Sequence, residues 1–255
     1  MSYLQLSLIK KGGYDCGFEH VLAETASSVT LASARHPAVL EVTIDGDQIN
    51  VIVTKGNALL VSELQRHFSL TQDRFSCGTI DQLRKLLRRA SELAQSLPNQ
   101  AQSDFQQALA KEFAKLPQAI KGTEVEVMVR QRVGQQAFRA AMLDYWGGAC
   151  AVTDIAVPEV LRASHAKPWA ECGTDAERLD VFNGFLLSAN LDALFDRFLI
   201  SFDEDGGLMA SNRLATLEIQ RLGLHGSMRL RWLAAEHEPY LAYHRAKFQQ
   251  ALLAG

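Results

Sequence analysis

The spacing of apolar residues in the first 75 positions predicts a mixture of strands and helix. A weak alternation at Leu4–Ile9 favours an extended segment. The runs Val39–Ile44 and Ile49–Val53 flank Asp45–Gly46, which is the pattern of a β-hairpin. Leu59–Phe68 has the spacing of a helix. We therefore expect a small antiparallel sheet followed by helices.

Two longer helices are predicted after this region. Thr79 can cap a helix with apolar residues at three- and four-residue steps, namely Ile80, Leu83, Leu86, Leu87, Ala90, Leu93 and Leu97. Pro98 should end it. Phe105, Leu109, Phe113 and Leu116 mark a second helix, stopped by Pro117. A domain boundary near Gly122 would separate residues 1–120 from residues 121–255.

The second region begins with a change of apolar period. Val125, Val127 and Val129 alternate, and a helix is then predicted from Gln135 to Tyr145. Gly147–Gly148 should end that helix, because glycine commonly follows a last turn.

Composition narrows the class of protein. Apolar residues make up 47% of the 255 positions and charged residues 22%, as in a globular chain. No run approaches the ~20 apolar residues of a membrane span, and the first residues lack the basic start of a signal peptide. We therefore expect a cytoplasmic protein that does not enter a membrane. The four cysteines form no CxxC pair, so we expect buried free thiols and no structural zinc.

The chain has a small negative net charge and one dense basic cluster. The net charge of −3 argues against a protein that coats nucleic acid, although an enzyme could still touch DNA through a local patch. Arg84, Lys85, Arg88 and Arg89 are predicted on the outer face of the helix after Thr79. They could form a solvated face, or they could contact DNA phosphates.

The residues that could carry chemistry lie between positions 165 and 196. His165 precedes Pro168, which prevents a helix from continuing, and Asn183 begins an asparagine-glycine pair. Asp192 and Asp196 are one helical turn apart. A base, an amide and two carboxylates could build a hard-cation site. The spacing also fits a core or loop histidine, a turn asparagine and two helix-solvating carboxylates.

Residues 123–245 resemble the HNH endonucleases of the ββα-metal class, and in particular their restriction-type subgroup. Five ordered motifs carry the resemblance. They are R-x-G-Q-x-x-F-R at Arg132–Arg139, C-x-x-T at Cys150–Thr153, S-H-x-K-P-W at Ser164–Trp169, N-G-x-L-L-S-x-N-L-D-A-L-F-D at Asn183–Asp196 and Y-L-x-Y-H-R at Tyr240–Arg245. The first 120 residues resemble no family that we can name.

The resemblance implies a role for each matching residue. His165 matches the general base, and Asn183 matches the asparagine that binds the metal or fixes the loop that holds the base. Asp192 stands where the family's final histidine usually falls, and a carboxylate there suits Mg²⁺ or Mn²⁺. Asp196 could complete the metal shell or anchor Arg197. The catalytic set would be His165, Asn183 and Asp192, with His165 as a further metal ligand.

One motif residue differs from the family pattern, and other residues in or beside the motifs also have expected roles. Ser164 stands where many members have an aspartate ligand. Lys167 could hold a neighbouring phosphate, or it could be a solvated lysine. Arg132 and Arg139 are expected to buttress the ββα unit, with DNA contact as the alternative, and Trp169 is expected to pack.

These observations predict an α+β protein with a mixed N-terminal domain and a C-terminal ββα-metal domain with flanking helices. The resemblance implies a restriction or defence endonuclease that cleaves double-stranded DNA with a histidine base and one divalent metal ion. Residues 1–120 would select the DNA, and a homodimer is an open alternative for the assembly. The competing hypothesis is a catalytically degenerate protein that binds nucleic acid or regulates an effector.

Overall fold

A computed structural model describes residues 2–98, 100–115 and 124–253. The fold is α+β, as predicted. The chain divides into two compact units, residues 1–100 and residues 101–255. The predicted boundary near Gly122 and the predicted helix stop at Pro117 lie outside the described residues. Because the units divide after Gln100, the helix that follows belongs to the second unit.

The described residues of the first unit form an antiparallel sheet and three helices. Its strands have the spatial order β1-β2-β3-β4-β6-β5. They are β1 (His20–Glu24), β2 (Ser28–Ala32), β3 (Val39–Asp45), β4 (Gln48–Lys55), β5 (Leu70–Thr71) and β6 (Arg74–Cys77), and the helices are α1 (Tyr3–Asp15), α2 (Leu59–Gln65) and α3 (Ile80–Ser96). The predicted hairpin is β3–β4, in which Asp45 pairs with Gln48. The side chain of Thr79 caps α3 by accepting a hydrogen bond from the Gln82 amide.

One prediction for the first unit was wrong. Leu4–Ile9 is helical, so a helix precedes the sheet. Ser2 and Gln5 form a reciprocal capping box, which satisfies two N–H groups at the start of α1. This local hydrogen bonding, together with the burial of Ile9, outweighs the weak alternation of the sequence.

The second unit contains the predicted ββα core. Strands β7 (Leu161–His165) and β8 (Gly184–Ser188) pair antiparallel, and α7 (Ala189–Phe195) follows β8 directly. The other elements are α4 (Gln100–Ala114), α5 (Glu124–Tyr145), α6 (Asp175–Leu179), β9 (Ile200–Phe202), β10 (Leu208–Ala210), α8 (Thr216–Arg221) and α9 (Glu238–Leu253). No helix among the described residues is both long enough and apolar enough to cross a membrane.

Helix α5 is longer than its sequence pattern suggested. The alternating residues Val125, Val127 and Val129 form its first turns. Val125 and Val127 are 41% and 66% exposed, so their alternation does not mark a face packed on a core. The predicted glycine stop is present, since Gly147 and Gly148 both have positive φ angles and the Gly148 amide donates to the Leu143 carbonyl.

Aromatic packing fixes α5 against the ββα core. Tyr145 and Trp146 at the end of α5 are fully buried. The Tyr145 ring meets the Phe182 ring edge-on, and the Trp146 ring lies 6.1 Å from that of Phe185 on β8. Helix α5 therefore forms a stable wall beside β7, where His165 is located.

Candidate active site

The ββα core places His165 at the end of strand β7. In the two-stranded sheet, Ser164 pairs with Phe185 and His165 pairs with Gly184. A β-carbon at Gly184 would overlap the Ser164 carbonyl oxygen, so this close approach requires glycine. The glycine of the predicted asparagine-glycine pair therefore serves strand packing and not a left-handed turn.

The surroundings of His165 select its tautomer. Its Nε2 lies 2.9 Å from the carbonyl oxygen of Arg178. Because a carbonyl can only accept, Nε2 carries the proton and Nδ1 is the basic atom of the neutral ring. Burial lowers the pKa of His165 to about 4, so the ring is neutral at pH 7. The side chain can therefore accept a proton at Nδ1.

Two aromatic side chains hold the imidazole in place. The Phe138 ring stacks on it with centroids 3.8 Å apart, and the Trp169 ring meets it edge-on at 5.9 Å. Trp169 in turn covers Gly134 on α5, where a β-carbon would overlap the indole. This contact gives a structural reason for the glycine of the R-x-G-Q motif. It also assigns Trp169 the packing role that we expected.

A pocket of about 550 Å³ opens beside His165. Its walls include Phe138 and Arg139 of α5, Arg162 and His165 of β7, and the two carboxylates Asp192 and Asp196. Nδ1 of His165 has no hydrogen-bond partner among the described residues, and it is not fully buried. The basic atom is therefore not sealed from solvent, and His165 lines the same pocket as both carboxylates.

The two carboxylates lie where α7 passes beneath β7. Asp192 accepts a short hydrogen bond from the Ser164 hydroxyl. Partial burial and the charge of Asp192 raise the pKa of Asp196 to about 6. Two interacting carboxylates of this kind would be stabilised by a cation between or beside them.

The amide of Asn183 is engaged by the loop between β7 and β8. The residue is fully buried, and its Oδ1 accepts from the Lys167 amide at 2.8 Å. Its Nδ2 donates to the Glu177 carbonyl at 2.9 Å and lies 3.3 Å from both the Lys167 carbonyl and Cys172 Sγ. These contacts favour the loop-fixing role, which is one of the two roles that the resemblance left open. Ligation of a metal by Asn183 stays a prediction without support from these contacts.

The donor set fits a hydrated hard cation better than zinc. Within residues 2–98, 100–115 and 124–253, no three His, Cys, Asp or Glu side chains converge closely enough to hold a metal. Asp192 and Asp196 supply carboxylate oxygens to one pocket. Mg²⁺ is commonly bound by one or two carboxylates and keeps several waters, so two carboxylates are enough for it. The four cysteines are buried free thiols, as predicted.

The predicted DNA-binding residues differ in their ion pairs and in the exposure of their side chains. Lys167 forms an ion pair with Glu177 at 3.0 Å. In the first unit, Arg84 pairs with Asp15 at 2.6 Å, while Lys85 and its partner Asp81 are largely exposed.

The prediction for Arg89 was wrong in its placement. Its side chain is only 11% exposed and pairs with Glu92, so it does not lie on the outer face of α3. The aliphatic part of arginine can pack beside buried residues while its guanidinium is paired, and a helical spacing pattern does not reveal this. Arg88 is exposed, as expected.

Three further residues shape the site although none of them was predicted as a catalytic residue or metal ligand. Arg139 donates to the carbonyls of Leu161 and Pro158, which is the buttressing role expected for it, achieved through backbone oxygens. Arg162 lines the pocket and has no signature in the sequence because it belongs to none of the five motifs. His244 lies in the closing motif Y-L-x-Y-H-R, and its place in that motif is the only sign in the sequence of a functional role.

His244 anchors the end of α7 beside Asp196. Its ring stacks on Phe195 at 3.7 Å, its Nε2 donates to the Phe195 carbonyl and its Nδ1 lies 3.0 Å from the Ser201 hydroxyl. Burial lowers its pKa to about 4. Because both nitrogens are engaged, His244 positions the helix and leaves proton transfer to His165.

Comparison with known families agrees with this geometry. Residues 150–203 match the family model described as HNH endonuclease. That segment includes β7, β8 and α7 with His165, Asn183, Asp192 and Asp196. No curated protein matches the chain significantly. The family match thus confirms the HNH resemblance for the ββα core of this chain, over residues 150–203.

Proposed function

We propose that this protein is a metal-dependent DNA endonuclease of the restriction or defence type. The HNH match supports a nuclease, a hydrolase that acts on nucleic acid. Double-stranded DNA as the substrate, and defence as the biological role, are the finer parts of the proposal. Residues 1–120 would select the DNA, and a two-fold dimer would allow both strands to be cut.

One observation carries the proposal. His165 holds its proton on Nε2 against the Arg178 carbonyl and leaves Nδ1 without a partner among the described residues, and it lines one pocket with Asp192 and Asp196. Phosphodiester hydrolysis needs a base for the attacking water and positive charge at the scissile phosphate. The pocket contains a suitable base and two carboxylates that suit a cation.

The chemistry follows from these positions. Nδ1 of His165 would take a proton from water, and the oxygen of that water would bond to phosphorus as the P–O bond to the leaving oxygen breaks. The leaving oxygen would then take a proton from solvent. Asp192 and Asp196 would hold Mg²⁺ or Mn²⁺, which when bound supplies Lewis-acid stabilisation of charge on the phosphate. Asn183 would keep the loop closed around the base, and His244 would keep α7 in place.

Plasmid cleavage tests this function. Purified protein is incubated with supercoiled DNA and Mg²⁺ or Mn²⁺, beside the His165→Ala variant. We expect the wild type to nick or linearise the plasmid and the variant to lose about 10²–10⁴-fold in rate. Circular dichroism should show that the variant stays folded. Full activity in a folded His165→Ala protein would remove His165 as the base, and no cleavage by the wild type on modified or unmodified DNA would contradict the function.

A degenerate HNH protein is the second candidate. Ser164 replaces the expected aspartate, and the described residues contain no group of three metal-binding side chains. Such a protein would bind DNA, and the same assay would detect no metal-dependent nicking. DNA binding measured in the absence of cleavage would therefore favour this candidate over the nuclease.

A further inference from the structure

Two arginines on the pocket wall converge on one backbone oxygen. Nη1 of Arg139 lies 2.7 Å from the Leu161 carbonyl oxygen, and Nη1 of Arg162 lies 2.8 Å from the same atom. The two nitrogens are therefore separated by at most twice a hydrogen-bond length. Arg139 comes from α5 and Arg162 from β7, so the tertiary structure brings these two positive charges together.

Backbone carbonyls account for all the hydrogen bonds of these guanidinium groups among the described residues. Arg139 also donates to the Pro158 carbonyl, and Arg162 also donates to the Glu159 carbonyl. Neither arginine forms an ion pair with a carboxylate in that part of the chain. Carbonyl oxygens orient a guanidinium without neutralising it, so two like charges remain uncompensated at close range.

The carboxylates of the same pocket do not compensate them. Asp192 and Asp196 line the pocket together with both arginines, yet no ion pair joins the two sets of described side chains. The charges that shift the pKa of Asp196 are those of Asp192 and Arg197. The pocket therefore has an acidic part and a separate basic part.

We infer that Arg139 and Arg162 form a phosphate-binding subsite that seats the nucleic acid strand beside His165. This inference rests on the proposed function and names two substrate-positioning residues for it. Guanidinium groups bind phosphate oxygens in a fork geometry, and here their orientation is fixed before the ligand arrives. Both arginines line the same pocket as His165, so a nucleic acid strand held there by its phosphates would lie beside the base.

Arg162 is the better residue for a test because it is exposed, whereas Arg139 is half-buried and joins α5 to β7. Fluorescence anisotropy would measure the affinity for a labelled DNA duplex in EDTA, where cleavage does not interfere. The affinity would be measured at several salt concentrations for the wild type, Arg162→Ala and Arg162→Lys. Arg221→Ala removes one exposed positive charge from the same unit, away from the pocket lining, and serves as the matched control.

We expect Arg162→Ala to weaken binding several-fold and to reduce the salt slope by about one, the value for a single phosphate that the protein no longer neutralises. Arg162→Lys should keep most of the salt slope, because its charge is retained, but bind more weakly than the wild type. Arg221→Ala should match the wild type. If Arg162→Ala also matches a wild type that binds and cleaves DNA, the subsite is wrong and the nuclease function stands. If the wild type neither binds nor cleaves DNA, the proposed function fails and the subsite with it.

Discussion

Ser164 and Asp192 show how anionic charge is distributed around His165. Ser164 stands where the resemblance led us to expect an aspartate, and its hydroxyl donates to Asp192 on α7. The charge therefore comes from the helix, where Asp192 and Asp196 are one turn apart. A neutral hydroxyl beside the base also avoids a carboxylate that would raise the pKa of His165.

The raised pKa of Asp196 leads to a prediction about metal affinity. A carboxylate with a pKa of about 6 is charged above pH 6 and protonated below it. Since a metal ligand must be deprotonated, Mn²⁺ affinity should fall about twofold between pH 7 and pH 6 and more steeply below pH 6, where the limit is about tenfold per pH unit. Titration calorimetry with Mn²⁺ at pH 5, 6, 7 and 8 would measure this fall.

Two variants provide the controls for that titration. Asp196→Asn should bind Mn²⁺ more weakly at pH 8 and show little change across this range. Glu204→Gln, at an exposed position outside the pocket lining, should behave as the wild type. If Asp196→Asn retains wild-type affinity and pH dependence, Asp196 is not a ligand.

At the scale of elements, the loop between β7 and β8 determines how His165 is presented. Arg178 lies in α6 within this loop, and its carbonyl oxygen holds Nε2 of His165. The Arg178 side chain donates to the carbonyls of Cys172 and Trp169 and pairs with Asp175, so the loop is braced internally. The base and its orienting carbonyl therefore depend on one folded loop.

Asn183 closes this loop, and replacing it should affect stability and activity together. Asn183→Ala would remove the acceptor of the Lys167 amide and the donor to the Glu177 carbonyl in a fully buried position. We expect a decrease of about 1–3 kcal/mol in the free energy of unfolding, with strongly reduced cleavage. Urea denaturation measures the first effect and plasmid cleavage the second.

The exposed Asn212 offers a matched control, since Asn212→Ala should change neither quantity appreciably. The result also separates the two roles left open for Asn183. Unchanged stability combined with weaker Mn²⁺ affinity would identify Asn183 as a metal ligand and contradict the loop-fixing role.

At the scale of the whole molecule, the charge of the protein is negative, so DNA binding requires local positive surfaces. Residues 121–255 carry 14 Lys and Arg against 17 Asp and Glu, which gives the whole net charge of −3. In the first unit, the exposed members of the α3 cluster are Lys85 and Arg88. Arg84 and Arg89 are engaged by Asp15 and Glu92. We propose that Lys85 and Arg88 contact DNA phosphates.

Replacing both exposed residues tests this proposal. The double variant Lys85→Ala with Arg88→Ala should weaken binding about equally across DNA sequences. It should also reduce the salt slope by roughly one for each phosphate that is no longer neutralised. Lys11→Ala with Lys55→Ala removes two other exposed charges from the same unit and should leave the slope nearly unchanged. If the Lys85 and Arg88 changes leave the salt slope unaffected, the cluster is only a solvated helix face and does not contact DNA.

Local sequence determined most of the secondary structure and the identity of the core motif. The hairpin at Asp45–Gly46, the cap at Thr79 and the glycine stop at 147–148 depend on neighbours within a few residues, so their patterns are readable from the chain. The resemblance carried by five ordered motifs identified the HNH core, and the family match confirmed it over residues 150–203. The prediction for Leu4–Ile9 was wrong because a capping box outweighed weak alternation.

Tertiary structure alone decided how those residues are used. The tautomer of His165 depends on the carbonyl of Arg178, and the pairing of Arg139 with Arg162 depends on the carbonyl of Leu161. Every residue has a carbonyl, so such contacts leave no signature in the sequence. The burial of Arg89 and the engagement of the Asn183 amide likewise depend on surrounding residues that only the folded chain brings together. The sequence thus determined which chemical groups this protein has, and the fold decided which of their atoms remain free to react.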